Sequence, residues 1–324
     1  MKTSPASDQG ESIELRGPWS AEVECIVGQE TRAALPGKCS RAGHGVGTSR
    51  TLTVIRPPSL SLETIVSGLK ALVGYRHLLY TLTLLRLAVR YKQSILGWIW
   101  AVLQPLATMM AYTFVFSRVA KVRSEGVPYP LFVLSGLLPW LFFSNAVSNA
   151  TNGLVSHANL LTKLHFPREI IPLSYVLAAL VDFAIACIVL GGLMIYYRSS
   201  VDAKIVYVLP VVALLIAFTS AVALFLSSIQ ARFRDAAAAL PLLLQVGVFA
   251  TPVAYSHDSI PIRWQTLYML NPIASLIDSF RRCVTHRLAP DIPMLVASAL
   301  ITVCCLAAAY AYFKATESTM SDVI

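Results

Sequence analysis

Hydrophobic positions along this chain gather into six long runs separated by short polar segments. The runs cover roughly 95–116, 128–147, 170–197, 205–229, 240–255 and 292–313. Each is near the ~20 residues that an α-helix needs to cross a bilayer, so the pattern predicts six transmembrane helices. The fifth run is short if it ends at Pro252, which predicts a tilted or broken helix. Trp98 and Trp100 stand where the first run begins, as interfacial aromatics do.

Before the first span, residues 59–94 show a different periodicity. Leu62, Ile65, Val66, Leu69, Leu72 and Val73 repeat at i, i+3, i+4, i+7 and form one apolar face. Further along, Arg76, Thr83, Arg86 and Arg90 fall on one stripe. Five Lys/Arg against one acid lie between Ser59 and Gly97. The combination predicts an amphipathic helix lying in the cytoplasmic membrane interface; a surface helix of a soluble domain is the weaker alternative, because a span follows at once.

Residues 1–58 show no sustained period. Seven Lys/Arg nearly cancel six Asp/Glu, and no basic stretch leads directly into an apolar core, so no signal peptide is read there. The segment is expected to be cytosolic and mostly disordered, with short strands around 22–27 and 51–55.

Composition agrees with a lipid environment. Of 324 residues, 56% are hydrophobic and 13% charged, with mean hydropathy +0.64; a soluble domain carries about 25% charged residues. The net charge of +9 fits cytoplasmic loops and anionic headgroups better than nucleic acid. Orientation rests on the basic helix before the first span, which places both termini in the cytoplasm. Loop charges decide little: ten Lys/Arg fall on the cytoplasmic flanks after Ser59 and nine in the outer loops.

Catalytic signatures are missing. The only Gly-Lys pair, Gly37-Lys38, is followed by Cys39, and Arg32 stands where a phosphate-binding loop needs its first glycine. ATP-driven work therefore has to come from another chain. The six cysteines form no CxxC pair, the six histidines are scattered, and neither set suggests a metal site or disulfide framework.

Three polar features remain. Asp182 lies inside the third run, where a carboxylate costs about 3 kcal/mol to insert; a proton or substrate role and a hydrogen bond to a neighbouring helix both account for it. The 148–169 loop turns helix-like over 154–164, with Leu160, Leu161 and Leu164 as apolar contacts, and is either a docking helix or a plain connection. Between the fifth and sixth runs, Asn271-Pro272 is a turn signal followed by helical spacing, which predicts short re-entrant or interfacial helices near the outer surface.

The stretches RYKQSILGWIWAVLQPL (90–106), GVPYPLFVLSGLLPWLFFSNAV (126–147), LLTKLHFPREIIPL (160–173) and LNPIASLIDSFR (270–281) resemble the permease subunit of ABC-2 type polysaccharide exporters. The likeness covers roughly 53–322; the first 50 residues lie outside it, as a lineage-specific extension or the product of an upstream start codon, and no function is assigned to them. It implies an all-α integral membrane domain over 95–324 in the bacterial inner membrane. It also implies a homodimeric channel, two copies of an ABC ATPase that binds the ATP and magnesium, and a lipid-linked polysaccharide as cargo. The chain itself would hold no cofactor. The loop between spans two and three would carry the coupling helix, assigning ATPase contacts to Ser156, His157, Leu160, Leu161, Lys163, Leu164 and Arg168.

Rings suit a sugar substrate because apolar sugar faces stack on them. Trp98, Trp100, Tyr112, Phe116, Trp140, Phe142 and Phe143, with Asp182, are therefore the channel candidates, although Trp98 and Trp100 also serve as plain interfacial anchors. Arg86, Arg90 and Lys92 are candidates for phosphate contact, either with a polyprenyl pyrophosphate or with ordinary lipid. Two rivals are an ABC-2 permease for a drug or small lipid, and a membrane-embedded acyl- or glycosyltransferase. The latter needs clustered acids or histidines at one membrane face, and the chain offers the isolated Asp182.

Overall fold

A computed structural model describes residues 74–92, 96–119, 126–157, 166–199, 202–255, 261, 270–286 and 288–323, with side chains through Glu317. The expectations for 1–58, for the first part of the interface helix and for Leu160, Leu161, Lys163 and Leu164 lie outside them. The described residues contain no β-strand.

Helix α1 (Arg76–Lys92) comes first, and Gly97, at φ 51°, turns the chain into α2 (Ile99–Tyr112). α2 continues as a π-helical turn over Thr113–Val119. The next helices are α3 (Tyr129–Ser156), α4 (Ile170–Tyr196) and α5 (Val208–Arg232). The short apolar α6 (Ala236–Phe249) precedes α7 (Pro272–Arg281), which runs into a second π-helical stretch, Arg282–His286. The last helix, α8, spans Ile292–Val323.

Among the described residues, five helical stretches are long and apolar enough to cross a membrane: 99–119, 129–156, 170–196, 203–232 and 292–317. The fifth predicted run forms the shorter α6. Side-chain contacts show how α6 is strung. Gln230 Oε1, at the end of α5, accepts from the Ala237 backbone N–H at 2.7 Å, so α6 begins where α5 stops. Beyond α6, the Ala254 carbonyl accepts from Tyr129 Oη at 2.8 Å, at the opposite end, where α3 begins. Among the described residues, five of the six predicted runs form long helices and the fifth forms a short apolar one.

α3 is the central element: 78% of its apolar window is buried inside the chain, against 17% for α2 and for α8. Lipid tails are as apolar as leucine, so such packing rests on close contact and interhelical hydrogen bonds rather than on escape from water. Small residues permit that contact. The Tyr175 ring lies against Gly153 and the Trp140 ring against Gly247. Stacked and tilted rings extend the core through Phe143–Phe218 (5.9 Å), Phe142–Phe183 (5.5 Å) and Phe183–Phe280 (5.9 Å).

Two expectations change in the structure. The polar stretch after Val147, read as a loop, continues α3 to Ser156. The arginine stripe of α1 is divided: Arg76 is exposed without a contact to α4, while Arg86 and Arg90 turn toward α4. Thr83, Leu87 and Tyr91, each one turn apart, are buried, and Arg86 and Arg90 reach the α4 side chains Ser174 and Asp182.

Candidate functional site

The polar chemistry of the described residues concentrates where α1 crosses α4. Asp182 sits midway along α4, a position that demands a partner because a carboxylate in the membrane interior is poorly solvated. Arg90 Nη1 donates to its Oδ2 and Tyr91 Oη to its Oδ1, each at 2.5 Å. The two donors are neighbours in sequence, and Tyr91 stacks on Trp98 with centroids 4.3 Å apart. Burial, reinforced by the hydrogen bond to Asp182, pushes the Tyr91 hydroxyl up to about 12, so it remains a donor at neutral pH.

One turn earlier, Arg86 Nε donates to Ser174 Oγ at 2.7 Å, and its guanidinium lies 3.4 Å from the Tyr175 ring centroid. Burial lowers its pKa, partly offset by Tyr175, yet a guanidinium stays charged under any physiological condition. Between α1, α3 and α4 a cavity of about 290 Å³ is lined by Arg86, Arg90, Asn149, His157 and Tyr175, with Leu85 and Val89 at its apolar rim. Asp182 faces a second, smaller cavity of about 40 Å³, shared with Gln104 and Asn145.

The entry to α4 holds the second cluster. Glu169 is fully buried and pairs with Lys314 of α8 at 2.5 Å, while Tyr310 Oη donates to it at 3.1 Å. Lys314 also reaches Glu317 at 2.9 Å, and Arg168 Nη1 donates to the Glu317 carbonyl at 2.6 Å. A carboxylate at a helix N-terminus also meets the positive end of the helix dipole, which favours an acidic side chain at this position.

The third cluster lies beyond α6. Arg281 is 1% exposed, and its guanidinium donates to the backbone carbonyls of Pro252, Val253 (2.7 Å) and Tyr255 (3.1 Å), lying 4.1 Å from the Phe132 ring centroid. Carbonyls that follow a helix C-terminus carry partial negative charge, so they solvate this cation in place of water. The approach requires Gly136, where any Cβ would run into the guanidinium.

These clusters redistribute the sequence candidates. Trp140, Phe142 and Phe143 are enclosed in the core, where they join helices of one chain and offer little surface to a cargo. Trp98 and Trp100 are about half exposed; Tyr112 stacks on Phe116 beside Tyr129 and Phe132. Lys92 is exposed and stands apart from the cavity, unlike Arg86 and Arg90. Ser156 ends α3 and bonds back to the Asn152 carbonyl, His157 Nδ1 lies 3.0 Å from the Gly153 carbonyl, and Arg168 is directed to α8. Glu169, Lys314 and Tyr175 were not singled out in the sequence. The only local signal was an acid or base next to an apolar run.

The described architecture can be set beside known proteins. Residues 77–284 match the family model described as ABC-2 type transporter. The chain is 31% identical, over 79% of its own length and 98% of the relative's, to the O-antigen export system permease protein RfbA of Myxococcus xanthus. A Klebsiella pneumoniae O-antigen export permease is 32% identical over 63% of this chain and 78% of that one. The polysialic acid transport protein KpsM of Escherichia coli is 23% identical over 74% of this chain and 93% of its own.

Proposed function

The chain belongs to the ABC-2 type transporter family as a multi-pass membrane protein, and on that premise we propose that it is the permease subunit of an ATP-driven exporter of a surface polysaccharide. The observation that carries this reading is the end-to-end likeness to an O-antigen export permease, through 98% of that protein's length. On this reading two copies assemble a channel in the inner membrane, with both termini in the cytoplasm. Two copies of an ATPase bind the ATP and magnesium, and the cargo arrives on a polyprenyl pyrophosphate.

The helix ends give the coupling a physical route. The loop assigned to ATPase contact, 157–168, leaves α3 at Ser156 and enters α4 at Glu169. A push on that loop meets the Glu169–Lys314 pair and so reaches α8, and it meets α4, which Asp182 ties to α1. Buried ion pairs resist small displacements because separating the charges in a poor solvent is costly. The loop therefore acts on three helices at once. Of the candidate rings, Trp98 and Trp100 are the most exposed, and they suit a sugar chain entering from the α1 side.

Deletion of the gene in its host tests the function. Polymer should accumulate inside the cell while the surface lacks it, and the defect should return when a catalytically dead ATPase is supplied with the intact permease. Normal surface glycan in the deletion strain would overturn the reading.

A further inference from the structure

The cavity between α1, α3 and α4 has a charge imbalance that points to a ligand. Of the two guanidiniums on its wall, Arg90 is neutralised by Asp182 at 2.5 Å. Arg86 is not: it faces Ser174 and the Tyr175 ring, and no acidic side chain among the described residues pairs with it. A guanidinium on a cavity wall without a counter-charge favours an anion in that cavity. The remaining polar wall, Asn149, His157 and Tyr175, adds no acidic group. Asn149 keeps its amide on the Asn145 carbonyl at 2.7 Å, and His157 presents its ring edge-on to Tyr175.

Size and rim narrow the ligand further. About 290 Å³ lies below the ~300–1,000 Å³ of sites that enclose a drug-sized molecule, so it suits a headgroup rather than a whole glycan. Leu85 and Val89 are exposed at the rim, on a helix whose position beside the first span suits an interfacial element, so an apolar tail has somewhere to go. We infer that this cavity seats the phosphate of an anionic lipid, with Arg86 as its principal charged donor and Asn149 and His157 as the facing polar wall. Lys92, grouped with these arginines by the sequence, takes no part in the site. The inference does not depend on what the transporter exports. A phospholipid and a polyprenyl diphosphate share the recognised chemistry.

The test uses the full-length chain in neutral detergent, with lipid retention read by native mass spectrometry. Phosphatidylglycerol, polyprenyl diphosphate and phosphatidylcholine are added separately at equal concentration. The parent should retain the first two in preference to the zwitterionic lipid. Arg86→Gln should weaken that retention about ten-fold, the size of one charge-assisted hydrogen bond. Asn149→Asp leaves the Arg86 contacts to Ser174 and Tyr175 in place, sets a carboxylate across the cavity, and should weaken retention similarly. Loss confined to polyprenyl diphosphate identifies a carrier-lipid seat, loss confined to phosphatidylglycerol a resident phospholipid, and loss of both a general phosphate seat. Unchanged retention of both anionic lipids in either variant, recovered monodisperse, would overturn the inference.

Discussion

Lys314 Nζ lies 2.5 Å from the Glu169 carboxylate, which has no exposure of its own. The two residues are 145 positions apart in sequence, and their contact joins the start of α4 to the end of α8. Glu169 is buried with this lysine as its cationic partner, so removing Lys314 strands the carboxylate, whereas removing the Glu169 charge leaves Lys314 with Glu317 at 2.9 Å. Lys314→Met alone should cost about 3–5 kcal/mol and Glu169→Gln less, since Glu317 still pairs the lysine, whereas replacing both with apolar residues of similar volume should cost far less than Lys314→Met. Thermal unfolding of purified protein, arranged as a double-mutant cycle, reads the difference. Additive single effects would sink the pairing.

Gly136 is predicted to be intolerant of any side chain. A Cβ there meets the Arg281 guanidinium and lies 2.8 Å from the Val253 carbonyl, so Gly136→Ala must shift the clamp or the helix. Overpacking of this kind costs about 1–3 kcal/mol. Gly192, whose Cβ would meet nothing within 4 Å, is the matched control, and Gly192→Ala should leave stability unchanged. Equal melting temperatures for the two variants would contradict the arrangement.

Asp182 separates two roles by a recovery experiment. If its work is to hold α1, Asp182→Asn leaves Arg90 without its counter-charge and loosens the helix, and adding Arg90→Gln restores most of the loss. A proton carrier behaves otherwise, because transport stays abolished in the double variant. We expect recovery to at least half of parental export, measured with a cell-surface glycan assay.

ATPase docking is best probed at Lys163. Arg168 already donates to the Glu317 carbonyl, so a change there disturbs α8 as well as any partner contact. Lys163→Glu should lower co-purification of the ATPase on the order of ten-fold, more steeply at low than at high salt. Equal recovery of the complex at every salt concentration would remove Lys163 from the docking surface.

Much of the architecture was legible because a membrane span announces itself by length and hydropathy, as the close match at Ile170–Tyr196 illustrates. The polar end of α3 misled for a definite reason. Ser, Thr and Asn are loop formers in water, but here Asn149, Thr151, Asn152 and Ser156 each bond back to the carbonyl four residues earlier and continue the helix. The role of Arg281 was not legible, since nothing local distinguishes a cation in a loop from one wrapped in carbonyls some 28 residues away. For Asp182 the sequence supplied the need for a partner but not its identity. Arg90 is 92 positions distant, and only the crossing of α1 over α4 brings it near.

The clamp around Arg281 is also arranged favourably in time. Phe132, Gly136 and the carbonyls of Pro252, Val253 and Tyr255 all precede Arg281 in the chain. A ribosome therefore delivers every one of these groups to the membrane before it delivers the cation they surround. The arginine need not wait in hydrocarbon for a later segment, and the hairpin can close as it emerges, with α8 arriving last against a finished surface.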